Sequence, residues 1–391
     1  MNGASGCPPS PSRSRSELPN RPVSLSGRHS NPTDSRDPDG PRVRGTNTST
    51  RRHAMPNTVD PARRLMELMT GYWNTQAVYV AARLGIADRL AGTRSTSAAL
   101  ATELDVDADA LGRLLRFLVG AGVLVGDDQQ GYALTETGEL LRSDADKPLR
   151  NVALLYGEEF YRAWGDLHHS VTTGKSAFGH VFGDELFAYL SGNPRTSLSY
   201  DRAMVAGTAF FSDVPGAFDF SAARKVVDVA GGHGQLLAEV LRAHPTLRGV
   251  LYDAPHVIEE VRRAGGVAAD ERVELVAGDF FDSVPRGGDV YLLSRILHGF
   301  DDEACVRILA SCREAMGEDA TLLIVERVLP EGTEPSLALG YNLHMLAVMG
   351  NGRERGEQEY RVLLEKAGFE LGPVRPLPLD AALVTAKPRK P

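Results

Sequence analysis

The sequence predicts an α/β protein in which a doubly wound, largely parallel sheet follows a helical domain of winged-helix pattern. Three observations carry this. A short apolar run, Val226, Val227 and Val229, leads through Gly231, Gly232 and Gly234 into a helical pattern of Leu236, Leu237, Val240 and Leu241, and then into Val250-Leu251-Tyr252 closed by Asp253. Beyond Asp253 apolar runs and amphipathic stretches keep alternating, as a doubly wound sheet requires. Ahead of the glycines, the chain from Pro61 shows helical periodicity, with two short strand-like pieces closing its first part.

The bounds are those of an ordinary soluble chain. A length of 391 residues suggests two or three domains, and 42% hydrophobic with 24% charged residues is enough to bury a core. A net charge of -8 gives no footing for general nucleic-acid binding. Cys7, Cys305 and Cys312 are too few for a disulfide framework or a cysteine-rich metal site. Cys305 and Cys312 share one face of a predicted helix and read as small core residues. No apolar segment is long enough to span a bilayer. The expectation is a cytoplasmic protein with no metal, no nucleic acid and no membrane among its partners.

Residues 1 to about 54 are rich in Ser, Pro, Arg, Asn and Gly, with Leu18, Val23, Leu25 and Val43 almost their only apolar side chains. Such a segment cannot bury a core and is expected to be disordered. It lacks the apolar core of a signal segment, and Met55 reads as the natural beginning. The expected organisation is therefore an extension over 1–57, a winged-helix domain over 58–148, a helical linker over 149–222 and the sheet domain over 223–391.

From Pro61, Leu65, Leu68, Met69, Trp73, Ala77, Val80, Leu84 and Leu90 recur at helical intervals. They exceed what one small domain needs to cover itself, which predicts a pairing surface between two copies, a homodimer. Leu100 and Leu104 mark the next helix, with Thr96 or Ser97 as its N-cap, and Leu111, Leu114, Leu115 and Leu118 mark the one after. Val123–Val125 and Gly131–Leu134 flank a polar turn and read as the wing. As a DNA reader the second helix would offer Arg113 and Arg116. Asp105, Asp107 and Asp109 just before them oppose a phosphate surface, so a structural role is preferred to a regulator's.

Between residues 150 and 220, Phe160, Tyr161, Trp164, Phe178, Phe182, Phe187, Tyr189, Phe210 and Phe211 read mostly as core, with some free to line a pocket for a flat substrate. His168, His169 and His180 show no spacing that marks a metal site.

In the sheet domain, Val273–Val276 leads to Asp279 and Phe280. Asp289–Leu293 leads to Ser294, Arg295 and His298, and Ala320–Val325 is a fifth strand ending at Glu326. Ligand and catalytic groups gather at the carboxyl ends of such strands. Asp253, Asp279, His298 and Glu326 all fall at or just past them. The glycines permit a tight turn and close backbone approach, the following helix offers free amides, and Asp253 suits a ribose. Asp279 would lie near an adenine amino group with Phe280 against the ring. This suits S-adenosylmethionine as well as a nicotinamide dinucleotide. The pattern D-x-A-x-G-x-G, in place of G-x-G-x-x-G, and the single such unit tilt toward the former.

On VVDVAGGHG, LYDAPHVIE, AGDFFDSVP, LLSRILHGFDDEACVRIL, LLIVERVLPEG and GNGRERGEQEYRVLLEKAGF, the chain from about Pro61 onward resembles the class I S-adenosylmethionine-dependent O-methyltransferases of small molecules. These include plant caffeate and hydroxyindole enzymes and actinomycete polyketide-tailoring enzymes. The resemblance implies a Rossmann-like methyltransferase domain behind an α-helical winged-helix dimerisation domain. It also implies transfer of a methyl group to a hydroxyl of an aromatic or polyketide-like small molecule. By that resemblance His298 matches the general base, and Glu326 and Glu354 match the carboxylates that orient it. Asp228, Ala230, Gly231, Gly232, Gly234, Asp253, Asp279, Phe280 and Ser294 fall on the cofactor's positions. Asn342, His344, Met345 and Met349 lie where the acceptor pocket is expected, with simple helix packing as the competing reading.

Three positions depart from the family pattern. Ala230 stands in place of the first glycine, and its methyl would crowd the cofactor's methionine portion unless the backbone keeps an ordinary negative φ. Ser294 replaces a lysine of plant members, and Gly299-Phe300 replaces Asp-Trp. A relative that keeps the cofactor but performs hydroxylation or decarboxylation is the alternative chemistry, against which the retention of His298 and Glu326 speaks.

Overall fold

A computed structural model describes residues 60–390. The readings made of residues 1 to 54, Cys7 and Met55 lie outside the described residues. Helix α1 (Pro61–Met69) starts at Asp60, whose carboxylate accepts from the Ala62 amide, with Pro61 in the first turn. It buries nothing: Leu65, Met66, Leu68 and Met69 are all more than half exposed. Helix α2 (Tyr72–Leu84) ends at Gly85 in the left-handed region. With α3 (Ile86–Arg89), α4 (Ser97–Leu104) and α5 (Ala108–Gly120) it encloses a small core of Leu90, Leu100, Leu111, Leu115 and Leu118. Thr96 caps α4 and Asp107 caps α5, each accepting from an amide three residues on. Strands β1 (Leu124–Val125) and β2 (Ala133–Leu134) pair antiparallel as the wing, followed by α6 (Glu136–Glu139). Arg113, on the helix that would face DNA, is held by Asp109 at 2.6 Å.

Six helices follow: α7 (Arg150–Gly157), α8 (Glu159–Gly165), α9 (Leu167–Thr173), α10 (Ala177–Phe182), α11 (Leu186–Gly192) and α12 (Pro194–Ala206). Helix α7 packs against both α2 and α12 and so ties the winged part to the rest. Phe160, Phe178, Phe210 and Phe211 are buried as expected. Phe187 is not. Leu186 and Leu190, four residues apart, take the inward face of α11 and leave Phe187 60% exposed.

After the short α13 (Val214–Ala217) the sheet domain runs β3 (Lys225–Val229), α14 (Gln235–Ala243), β4 (Arg248–Asp253), α15 (Pro255–Ala264), β5 (Val273–Ala277) and β6 (Val290–Ser294). It continues α16 (Asp302–Ala315), β7 (Thr321–Leu329), α17 (Leu337–Met349), β8 (Arg355–Gly356), α18 (Glu357–Lys366), β9 (Phe369–Pro376) and β10 (Ala381–Pro388). The sheet order is β5-β4-β3-β6-β7-β10-β9, parallel through β7 and antiparallel over the last two strands. The winding reverses between β3 and β6, the crevice where ligands of such sheets bind. Each face carries its own core, one under α16 and α18 that includes Cys305 and Cys312, the other under α14 and α15.

Strand β7 corrects one expectation. It does not end at Glu326 but runs on to Leu329, because Glu326 and Arg327 stay paired with Ala382 and Ala381 of β10, while Val328 and Leu329 pair with β8. No helix among the described residues is long and apolar enough to cross a membrane.

Candidate active site

The turn after β3 is shaped by close approach. A β-carbon on Gly231 would lie 2.5 Å from the Asp228 carboxylate and 2.6 Å from Leu251 Cδ1, so glycine alone fits there. Gly232 donates its amide to Asp253 Oδ2 at 2.8 Å, and Ala254 donates to Oδ1 at 2.7 Å. The carboxylate at the end of β4 is thereby aimed along the glycine turn. Gly234 caps α14 in the left-handed region. Ala230 takes φ +55, so the ordinary backbone that would have made this alanine innocuous is not what the chain adopts.

Asp228 is buried, and neither of its carboxylate oxygens has a hydrogen-bond partner. Burial, then the nearby charge of Asp253, pushes its carboxyl up to about 7. Ser294 Oγ, at the end of β6, is likewise buried without a partner. Asp279 accepts from the Phe281 amide at 2.8 Å, and Phe280 packs beside Phe281 and Phe300 with centroids 4.8 and 5.9 Å away. Phe300, one of the departures from the family pattern, thus completes an aromatic cluster beside Asp279.

His298 sits on a single 3-10 turn, Leu297–Gly299, just past β6. Its Nδ1 is 3.1 Å from Glu354 Oε1 and 3.5 Å from Glu326 Oε2, and both carboxylates are almost wholly buried. The backbone amide of His298 donates to Glu326 Oε1 at 3.4 Å. Burial pulls the imidazole down, but Glu326 and Glu354 together outweigh it and hold His298 above the ordinary histidine value. Burial raises Glu326 as well, with His298 opposing and Glu354 adding to the rise. His298 and Glu326, expected together from their strand ends, and Glu354, joined to them by the family resemblance, do lie side by side.

A residue that the sequence reading passed over fixes the turn. Arg355 is fully buried and donates to Leu297 O at 2.8 Å, to Phe300 O at 2.8 Å and to Asp302 Oδ1 at 2.8 and 3.0 Å. The amide of Arg353 adds a bond to His298 O at 2.8 Å. The signal was present in the G-R-E-R run, where an arginine adjoins the buried Glu354. Gly352 serves the same junction, since a β-carbon there would come 2.7 Å from His298 O and 2.8 Å from Met345 Cε. Met345 and Met349, on α17, therefore close against the His298 turn.

Next to them opens a cavity of about 430 Å³ walled by Tyr156, Phe160, Trp164, Tyr341 and His344 and reaching Tyr72 of α2. His344 stacks on Tyr156 at 5.3 Å and accepts the indole N–H of Trp164 at Nδ1, 2.9 Å away. Its proton is thus on Nε2. Burial, with smaller contributions from His298 and Arg327, lowers it to about 4, so it is neutral at any working pH. Asn342 Oδ1 accepts from the Glu354 amide at 3.1 Å and braces the loop. Arg327 lies 3.6 Å over the Tyr341 ring. Its Nε and that of Arg295 are buried without partners, and among the described residues neither guanidinium is paired with a carboxylate.

Comparisons with known proteins agree with this geometry. The model of the O-methyltransferase domain matches residues 164–370, and that of the O-methyltransferase dimerisation domain matches residues 66–144. A 3-amino-4-hydroxybenzoate 4-O-methyltransferase of Streptomyces cremeus is 56% identical over 339 residues, 86% of this chain and 92% of that one. The methyltransferase of calicheamicin biosynthesis, solved with S-adenosylhomocysteine, aligns with a TM-score of 0.78 at 34% identity, over 85% of this chain and 100% of that one. The O-methyltransferase of neocarzinostatin biosynthesis, solved with S-adenosylmethionine and 2-hydroxy-5-methyl naphthoic acid, aligns with a TM-score of 0.67 at 32% identity, over 85% and 100% of the two chains.

Proposed function

Since the chain belongs to the O-methyltransferase family and carries both of its domains, we propose that His298 is the general base of an S-adenosylmethionine-dependent methyl transfer to a ring hydroxyl of an aromatic small molecule. The observation that carries this reading is the placement of His298 Nδ1 between two buried carboxylates at 3.1 and 3.5 Å. A proton held on Nδ1 leaves the lone pair of Nε2 for the acceptor's hydroxyl.

The turn fits the cofactor on its own terms. Asp228 offers a buried carboxylate with both oxygens unspent, suited to an ammonium, and Ser294 offers an unspent hydroxyl. Asp253, oriented by two amides, retains lone pairs for ribose hydroxyls. Asp279 and Phe280 would take the adenine, and Gly231, Gly232 and Gly234 give the backbone room, with Ala230 the one side chain that intrudes. Bound there, the cofactor supplies a methyl group on a positively charged sulfur. His298 takes the hydroxyl proton at Nε2 as the acceptor oxygen gains the methyl, and Glu326 and Glu354 stabilise the imidazolium. Orientation by Arg355 and Asn342 contributes the rest through positioning.

The aromatic cavity with His344, Met345 and Met349 is the acceptor site in this reading. Arg327, buried, with its Nε unpartnered and no carboxylate paired with it among the described residues, favours an acceptor that carries an acid group, because a buried polar group left unpaired is costly until a ligand pairs with it. The benzoate and naphthoate named for two of the relatives are of this kind. The uncovered apolar faces of α1 and α2 suit pairing with a second copy, so the working form is a homodimer. We keep domain boundaries at 58–148, 149–222 and 223–391 as part of the same proposal.

His298→Ala tests the assignment. Turnover on a hydroxybenzoate acceptor should fall by about 10²–10⁴ while calorimetry still reads cofactor binding; a variant that turns over like the parent refutes the role.

A further inference from the structure

We propose that Asp166, His169 and His180 form a binding site for a divalent transition-metal ion of the zinc or nickel type, on the outer side of the helices that wall the acceptor cavity. One donor atom from each residue lies within 4.8 Å of the other two. Asp166 immediately precedes α9 and His169, three residues further on, lies in its first turn, which puts both on one side of that helix. His180 reaches them from α10, with its Nδ1 2.5 Å from Asp166 Oδ2. Two imidazoles and a carboxylate are a ligand set that divalent first-row transition-metal ions take readily and magnesium does not, with water completing the shell at an exposed site.

The geometry needs one adjustment. Donors around a tetrahedral zinc sit about 3.4 Å apart, given metal–ligand bonds of about 2.1 Å. The present spacing lies within a side-chain rotation of that. The rings of His169 and His180 are stacked at 4.0 Å with 2° between their planes, and parallel rings cannot both aim in-plane lone pairs at one ion. Binding therefore swings His180 out of the stack, for which it has room: its side chain is 58% exposed. The ion takes the place of the present contact between His180 Nδ1 and Asp166 Oδ2.

The location gives the site a consequence. Asp166 is two residues beyond Trp164, whose indole holds His344 at 2.9 Å in the cavity wall. Helix α10 packs on both α8 and α17. An ion at this corner pins α9 to α10 behind that wall, so it should stabilise the fold and lower KM for the acceptor while leaving kcat little changed.

The His298, Glu326 and Glu354 group has the same donor spacing, so the experiment must separate the two sites. Calorimetric titration of the full-length protein with zinc sulfate, nickel chloride and magnesium chloride is run on the parent and on His169→Ala, His180→Ala, Asp166→Asn and His298→Ala. The expected result is micromolar zinc or nickel binding in the parent and in His298→Ala, and no magnesium binding. Affinity should fall about tenfold or more in each of the other three variants. Zinc should raise the thermal midpoint of the parent but not that of His180→Ala. Absence of micromolar binding, binding that persists in His169→Ala and His180→Ala, or binding lost only with His298→Ala would overturn the site. None of the three residues lies in the methyl-transfer machinery, so failure here leaves that reading standing.

Discussion

His298 Nδ1 stands 3.1 Å from Glu354 Oε1, with Glu326 Oε2 3.5 Å from the same nitrogen, so one imidazole nitrogen faces carboxylates and the other, in the proposed role, takes the acceptor's proton. The pair has a pH signature. Burial lowers the imidazole, and the two carboxylates more than reverse this, leaving His298 above its ordinary value. A base must be neutral to act, so kcat is expected to be high above that raised pKa and to fall as pH drops through it. Glu354→Gln removes one of the two raising charges. Its acidic limb should move to lower pH, and its plateau should fall by about tenfold or more. The check is the kcat–pH profile at saturating substrates; an unmoved limb would separate Glu354 from the base.

Arg355 holds the carbonyls of Leu297 and Phe300 and the carboxylate of Asp302, so it fixes the turn that carries His298 without reaching any reacting group. Removing a fully buried arginine would strand the backbone carbonyls of Leu297 and Phe300 that it now satisfies, and threatens folding. Asp302→Asn is the gentler probe, because Asp302 is exposed on its outer side. It should lower kcat severalfold with cofactor affinity unchanged, and Arg355→Lys should lower it further. Equal losses in kcat and cofactor binding would mark a merely structural role.

Much of this site was legible in the sequence because the chemistry sits at strand ends, and strand ends follow from local pattern. Asp253, Asp279 and His298 each close an apolar run, and their convergence requires only that the strands be parallel and adjacent. What escaped had non-local causes. Strand β7 extends past Glu326 because a C-terminal hairpin pairs with it, and nothing near Glu326 announces that partner. The bond from the backbone of Glu354 to the amide oxygen of Asn342 spans twelve residues, and nothing beside Asn342 announces it. Phe187 passed as core because aromatics usually are, while Leu186 and Leu190 set the face of α11 that turns inward.

Arg327 tests the acid group assigned to the acceptor. Its guanidinium rests on Tyr341, which walls the cavity, and it has no carboxylate partner among the described residues. Arg327→Met keeps most of the length and removes the charge. Since no protein anion is orphaned by the change, stability should hold or improve slightly. KM for a hydroxybenzoate should rise by about tenfold or more, consistent with loss of a charge-assisted bond worth about 1.5–3 kcal/mol. For the matching phenol without the acid it should barely move. A uniform rise for both acceptors would assign Arg327 to shaping the wall, and no change for either would remove the acid from the reading.

Ala230 is the last point at which this chain differs from what its turn prefers. At φ +55 a β-carbon meets the neighbouring carbonyl, a conformation that costs a non-glycine residue about 1–2 kcal/mol. The strain persists because the Ala230 amide is tied to Tyr252 O at 2.7 Å and the next residue must pass within touching distance of Asp228. Ala230→Gly relieves it, at the expense of a more flexible unfolded chain, for a net gain of about 0.5–1 kcal/mol. The thermal midpoint of the protein should rise in the absence of ligand. If the methyl also crowds the cofactor's methionine end, calorimetry should show tighter S-adenosylmethionine binding in the same variant. A lower midpoint would mean that the alanine methyl packs favourably here, and the turn would have to be regarded as adapted to it.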